Sequence, residues 1–392
     1  MRQQRIWILV GVIGVVVAAL GWLTWPVGAQ SAEITPISRA AEWMVTTYQN
    51  DDGGYTDFSQ GANLAESGVQ GTLDAILALV SAGVSVSEPV FGESAAPLAY
   101  LQAHADALSA YADRDGGAAG KAALALAAAG QDPRAFGGVD YGLKITGQLS
   151  PTGQYRVTGP FGQALAILGL RAAGESASPE AVQWLLDQQA REGEAAGSWD
   201  DGFGVVGNAD ATALAVMALA GQDDAAATAA VAAALDFLAR SKTAEGGWSY
   251  GPGQALNVNS TALVIQGLTA AGVDVDSAET PYATNGLSPL TVLRTVQTPA
   301  GGFQSDLGNG PVDDFFTTAQ AIPALAGQSL PVLPPLIAPE PTEAAPEPTP
   351  TVPAAETTAA GTTRTFILAV VSLLLLGAAV AFVGSRLGRR RK

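Results

Sequence analysis

Residues 246–272 read GGWSYGPGQALNVNSTALVIQGLTAAG, and the same pattern returns along the chain. Two glycines and an aromatic residue lead into a polar, glycine-containing loop. Thr-Ala follows, then an apolar run of helical length and a closing glycine. Residues 197–221 (GSWDDGFGVVGNADATALAVMALAG), 301–327 (GGFQSDLGNGPVDDFFTTAQAIPALAG) and 53–83 (GGYTDFSQGANLAESGVQGTLDAILALVSAG) repeat it. A unit of this kind cannot bury its apolar face alone, so the repeat constrains the fold more than any single motif does. The closing glycines, Gly83, Gly130, Gly174, Gly221, Gly272 and Gly327, fall 44 to 55 residues apart. Each follows the last apolar turn, where a left-handed helix C-cap is expected.

The two helices of each unit differ in kind. Second helices are expected over 72–80, 121–129, 163–173, 212–220 and 261–271. They are rich in Ala and apolar nearly all round, and a helix hydrophobic on every side is buried on every side. First helices, expected over 37–48, 95–112 (as one helix), 179–190 and 235–242, carry charge along one face. The third unit shows no clear first helix. The pattern predicts an all-α domain of two layers, inner and outer helices, with almost no sheet, and six such pairs can close into a ring that leaves no end repeat exposed.

The ends of the 392-residue chain read differently. Residues 1–32 carry Arg2 and Arg5, then an uncharged apolar run over 6–23 and small residues at 27–29. That is the form of a signal peptide, although the run is also long enough for an uncleaved anchor. Residues 330–364 are rich in Pro and Thr, with nine prolines between Pro331 and Pro353. Such a linker is extended, and at about 3.1 Å per residue it reaches on the order of 100 Å. Residues 365–385 are apolar and the tail 386–392 is basic, as in a transmembrane helix with a cytoplasmic end. The expected product is a single-pass membrane protein with residues 33–329 as an extracellular domain. All 36 acidic residues but only 11 of the 19 basic ones fall between Glu33 and Thr363. A surface so acidic repels nucleic acid. With no Cys, disulfides and thiolate zinc sites are excluded.

The Gly-Gly-aromatic strings at Gly246-Gly247-Trp248 and Gly301-Gly302-Phe303, each leading to Thr-Ala or its equivalent and an Ala/Leu helix, resemble the repeats of the terpenoid cyclase and protein prenyltransferase α/α-toroid superfamily. The resemblance covers residues 33–329 and implies six inner helices about an axis with six outer helices around them. Prenyltransferases use a zinc site of Asp, Cys and His, but here there is no Cys and His104 is the only His. Squalene-type cyclases use Asp-x-Asp-Asp-Thr-Ala, whose middle Asp protonates substrate. The matching string is Asn208-Ala209-Asp210-Ala211-Thr212-Ala213, which keeps only the middle acid. The cobalamin carriers of the superfamily have a β-rich second domain that is not evident here.

Asp210, Asn259 and Asp314 stand just ahead of inner helices and are expected to support helix starts. Trp199, Trp248, Tyr55 and Phe303 follow the glycines and are expected to plug the space between helix pairs. Six of these seven, Trp199, Asp210, Trp248, Asn259, Phe303 and Asp314, are the ligand-binding candidates. The acidic pairs Asp51-Asp52, Asp200-Asp201 and Asp313-Asp314 lack a calcium-loop spacing and read as solvated loop charge. No metal or cofactor is expected. Two functions follow. One is a non-catalytic surface module taking a small molecule or a protein at the ring's mouth, where parallel inner helices would gather their N-termini. The other is an exported cyclase-like or carbohydrate-active enzyme using Asp210, with Asp314 as the second carboxylate a glycosidase needs. A structural protein without a ligand is the plainer option.

Overall fold

Inner helices without polar faces leave the chain one solution, and the computed structural model adopts it over the residues it describes, 35–57, 66–91, 94–306 and 310–332. Thirteen helices follow in order: α1 (Pro36–Tyr48), α2 (Val69–Ser81), α3 (Pro97–Ala103), α4 (Ala105–Ala112), α5 (Gly116–Ala128), α6 (Tyr141–Thr146), α7 (Pro160–Ala172), α8 (Pro179–Asp187), α9 (Ala209–Leu219), α10 (Ala225–Arg240), α11 (Val258–Ala270), α12 (Pro289–Thr295) and α13 (Phe315–Leu325). A two-stranded antiparallel hairpin, Phe303–Ser305 with Val312–Asp314, is the only sheet among the described residues. The inner helices are α2, α5, α7, α9, α11 and α13. Each packs on the next, and α13 packs back on α2, closing the ring. Every residue of α9 is buried. Between α5 and α7 the backbones meet so closely that a Cβ on Gly169 would stand 2.4 Å from the Gly120 Cα.

Several boundaries differ from expectation. The inner helices begin about a turn early, because their caps sit in what reads as loop. Residues 95–112 form two helices, broken at His104, whose φ of −115° and ψ of 34° leave the helical region. The outer helix of the third unit is the six-residue α6, too short to show a periodic pattern. Gly221 is not left-handed, unlike the other five closing glycines. There the Arg171 guanidinium caps the helix instead, donating to the carbonyls of Met217 (3.1 Å) and Ala218 (2.6 Å).

One bond recurs between loop and inner helix. The backbone N–H of Tyr55, Trp199, Trp248 and Phe303 donates to Oγ1 of Thr72, Thr212, Thr261 and Thr318, at 2.9 to 3.1 Å. Each threonine in turn donates to the carbonyl four residues back, that of the helix cap. The side chain thus satisfies a buried N–H that no strand or helix reaches. In the third unit Gln163 takes this place, accepting from Tyr155 N at 3.0 Å. The indoles of Trp199 and Trp248 donate to Leu185 O and Leu238 O, tying each plug to its own outer helix.

A second clasp joins neighbours. Gln49 and Gln189 each donate to a glycine carbonyl of their own loop and to a carbonyl of the next unit, Ala95 or Ala230. Gln297 does the same across the closure, donating to Gly301 O and Pro36 O, each at 2.8 Å. Gly301 has a φ of +109° and would place a Cβ 2.5 Å from Arg39 O, so only glycine lets the last loop approach the first helix.

Among the described residues no helix is long and apolar enough to cross a membrane. The expected signal segment, the stalk beyond residue 332, the transmembrane helix and the basic tail lie outside them.

Replacing Thr261 with Val is expected to strand the Trp248 N–H and cost about 1–3 kcal/mol, measured by urea denaturation of residues 33–332. Thr261→Ser keeps the hydroxyl and should recover most of that loss.

Candidate functional site

The repeat supplies an internal ruler. Counting from the cap residue of each inner helix, the sixth position is Asp74, Lys121, Leu165, Leu214, Leu263 and Gln320. All six line one small chamber of about 60 Å³, so this position marks the axis and the inner helices run parallel. Above it, towards the helix N-termini, lies a larger cavity of about 380 Å³. Lys121, Phe161 and Leu165 belong to both. The mouth carries Gln70, Gly117, Gly159 and Asn208 from the starts of four inner helices. Tyr111, Arg114, Phe203 and Tyr250 complete the rim. Phe203 is 80% exposed, on a loop with Gly202 and Gly204 on either side of it. The start of α7 has no side-chain cap, since Gly159 stands there. Pro160 brings no N–H, so the donors left without a side-chain cap are those of Phe161 and Gly162.

Clefts of about 610 and 530 Å³ lie on the outer face. Their basic groups are already committed to structure. Lys242 Nζ donates to Pro281 O (2.6 Å) and Ala283 O (2.7 Å), and Arg240 donates to Ala196 O.

None of the six ligand candidates lines either axial cavity. Trp199, Trp248 and Phe303 are fully buried plugs. Asp314 is a true cap, accepting from Thr317 N at 2.6 Å. The expectation that Asp210 and Asn259 cap helix starts is corrected, although both lie in the first turn. The caps are Asn208, whose Oδ1 accepts from Ala211 N (2.8 Å), and Asn257, whose Oδ1 accepts from Ser260 N (3.0 Å). Asp210 and Asn259 lie two residues inside the helices.

Asp210 is 5% exposed and its Oδ1 has no hydrogen-bond partner. Burial pushes its carboxyl up to about 6, the charge of Asp201 adding and the Ser260 hydroxyl beside it opposing. The Ser260 Oγ is itself unpartnered, so that proximity satisfies neither atom. The second carboxylate near it is Asp201, and not Asp314. Asp201 reads in the sequence as solvated loop charge, yet it is buried. It accepts from Phe203 N (2.8 Å), Val205 N (2.9 Å) and the Tyr250 hydroxyl (2.7 Å). Burial would raise it, but these bonds outweigh burial and hold it below the usual carboxylate range. The Tyr250 phenol is raised, by burial first and then by its bond to Asp201.

At mid-channel Lys121 Nζ meets both oxygens of Asp74 at 2.7 Å, with side chains 18% and 3% exposed. Burial raises the Asp74 carboxyl, with Lys121 opposing. Burial works to lower the Lys121 ammonium, and the Asp74 and Tyr111 charges outweigh it and raise it. Nothing in the sequence marks this pair, because 47 residues separate its members. The one signal is the departure of residues 74 and 121 from the leucines at the same position in the third, fourth and fifth units.

No protein-family model matches the chain, and no curated protein matches it. Among solved structures it is similar to the type II terpene cyclase MstE from Scytonema. The apo enzyme superposes with a TM-score of 0.52 at 16% identity, over 74% of this chain and 96% of that one. A variant of MstE bound to its substrate, geranylgeranyl dihydroxybenzoate, gives 0.51 at 15% identity over 74% and 96%. A possible GH105 protein from Salmonella enterica gives 0.44 at 11% identity over 74% and 92%. The MstE likeness shows the α/α-toroid fold that the repeats imply.

A carboxyl whose folded pKa is raised contributes stability below its unfolded pKa and loses it as pH rises through the folded one. Parent protein should therefore lose stability between about pH 4 and pH 6, a window set by the unfolded carboxyl value and the value near 6 for Asp210. Asp210→Asn is expected to remove that group's share of the fall, Asp74 keeping its own, and to be more stable than the parent at pH 8 by on the order of 2 kcal/mol. Thermal melts of both proteins from pH 4 to 8 check this, and a less stable variant at pH 8 contradicts it.

Proposed function

We propose that this chain is a membrane-anchored extracellular module whose toroid binds a small molecule through the N-terminal mouth of the ring, without chemistry. The observation that carries the binding reading is the axial cavity itself. It is roomy enough for a small organic molecule, apolar along Phe161 and Leu165, and furnished with a few convergent polar groups, Gln70, Arg114, Lys121 and Tyr250. That mixture is what small-molecule sites offer. The extracellular placement rests on the two terminal segments of the sequence.

The alternative, an enzyme with Asp210 as acid, draws on the carboxyl pair at residues 201 and 210. Two neighbouring carboxyls with pKa values driven apart are the usual mark of an acid and its partner. Accessibility favours the module. An acid must reach the atom it protonates, and Asp210 does not line the cavity.

The neutral fluorophore 1-aminoanthracene tests the binding reading. It is expected to bind one saturable site per toroid. Leu165→Trp, which fills the wall shared by both chambers, should abolish that binding while circular dichroism stays unchanged. Ala233→Trp, in an outer cleft, should leave it intact. No saturable binding to the parent, or equal binding to a folded Leu165→Trp variant, would reject the axial site.

A further inference from the structure

We infer that the ion pair between Lys121 and Asp74 is a recognition element of the axial cavity, selecting an uncharged, largely apolar ligand that carries one hydrogen-bond-accepting oxygen. This deepens the binding reading above and rests on it. The argument begins with the ruler of the repeat. At the axis position the third, fourth and fifth units carry Leu165, Leu214 and Leu263, and the ring closes around them. The fold therefore accepts leucine here. Taking two charges out of water is costly, and replacing such a pair with apolar side chains is often neutral or stabilising. The first two units nevertheless place an aspartate and a lysine at this height, side by side and facing the channel.

What the pair can bind follows from its donors. An ammonium has three N–H groups and no acceptor. The two Asp74 oxygens, each 2.7 Å from Nζ, lie on one side of it and leave at least one N–H over. Lys121 lines both chambers, so an N–H not used by Asp74 is within reach of a ligand that crosses from one to the other. A carbonyl, ether or hydroxyl oxygen satisfies that N–H at no electrostatic cost. A carboxylate does not fit as well. Asp74 already neutralises the lysine, and Asp57 places a second negative charge near it. The apolar walls, Phe161 and Leu165 shared by both chambers and Leu77 and Leu124 in the lower one, suit hydrocarbon flanks.

An isosteric series tests this by displacement of 1-aminoanthracene. 2-Acetylnaphthalene, 2-ethylnaphthalene and 2-naphthoate share shape and differ in the group presented to Lys121. The ketone is expected to bind about tenfold tighter than the hydrocarbon, the effect of one net hydrogen bond to a charged donor, and the carboxylate weaker than both. The double variant Asp74→Leu with Lys121→Leu should bind ketone and hydrocarbon equally. On the parent, the carbonyl stretch of bound 2-acetylnaphthalene should move to lower wavenumber, and this measurement decides the matter if the double variant does not fold. Equal binding of ketone and hydrocarbon by the parent, a preference that survives in the double variant, tightest binding of the naphthoate, or an unshifted carbonyl stretch would each overturn the proposal while leaving an axial site in place. Failure of the whole series and of the fluorophore to bind would instead reject the site.

Discussion

A helix that is apolar on every side must have a neighbour on every side, and that requirement shapes the whole molecule. In an open row of helix pairs the two end helices would each show a bare flank to water. Closing the row removes both flanks at once, through the packing of α13 on α2 and α1. The rest serves this closure. Outer helices cover the ring's circumference, the buried aromatics fill the wedge between the layers, and threonine hydroxyls resolve the backbone groups that the wedge would leave unpaired.

How far the sequence discloses this depends on what each residue answers to. Inner helices are legible because burial on nearly all sides selects mostly small and aliphatic residues, and no loop imitates that. Their starts are less so. Asn208 and Asn257 are caps, but they sit in polar loops where an asparagine is unremarkable, and the acid of Asp210 draws the eye two residues on. The glutamines at 49, 189 and 297 bind carbonyls of the next unit, and that geometry leaves no periodic trace. His104 divides an outer helix that the pattern of small residues presents as continuous.

The site was hardest to see for a related reason. A repeat makes its recurring residues conspicuous, and here those residues build the frame. Trp199, Trp248 and Phe303 recur and are buried plugs. The polar groups at the axis are those that break the run of leucines, Asp74, Lys121 and Gln320. Two carboxyls a few residues apart in one unit also end in opposite states. Asp201 is surrounded by donors, while Asp210 is enclosed with an orphaned oxygen, and only three dimensions separate those fates.

The seam at Gln297 and Pro36 has one more implication. The described chain enters at α1 and leaves just after α13, and these two helices are in contact. Their junction is held by the same glutamine clasp and positive-φ glycine as the junctions where the backbone runs on unbroken. Taken as a cycle, the toroid has no privileged first residue. A polypeptide that began at α8, ran through α13 into α1 across a short added peptide, and ended after α7 would find every neighbour it has now. The ring closes where the described chain happens to begin and end, and the architecture would allow that opening at other junctions between units.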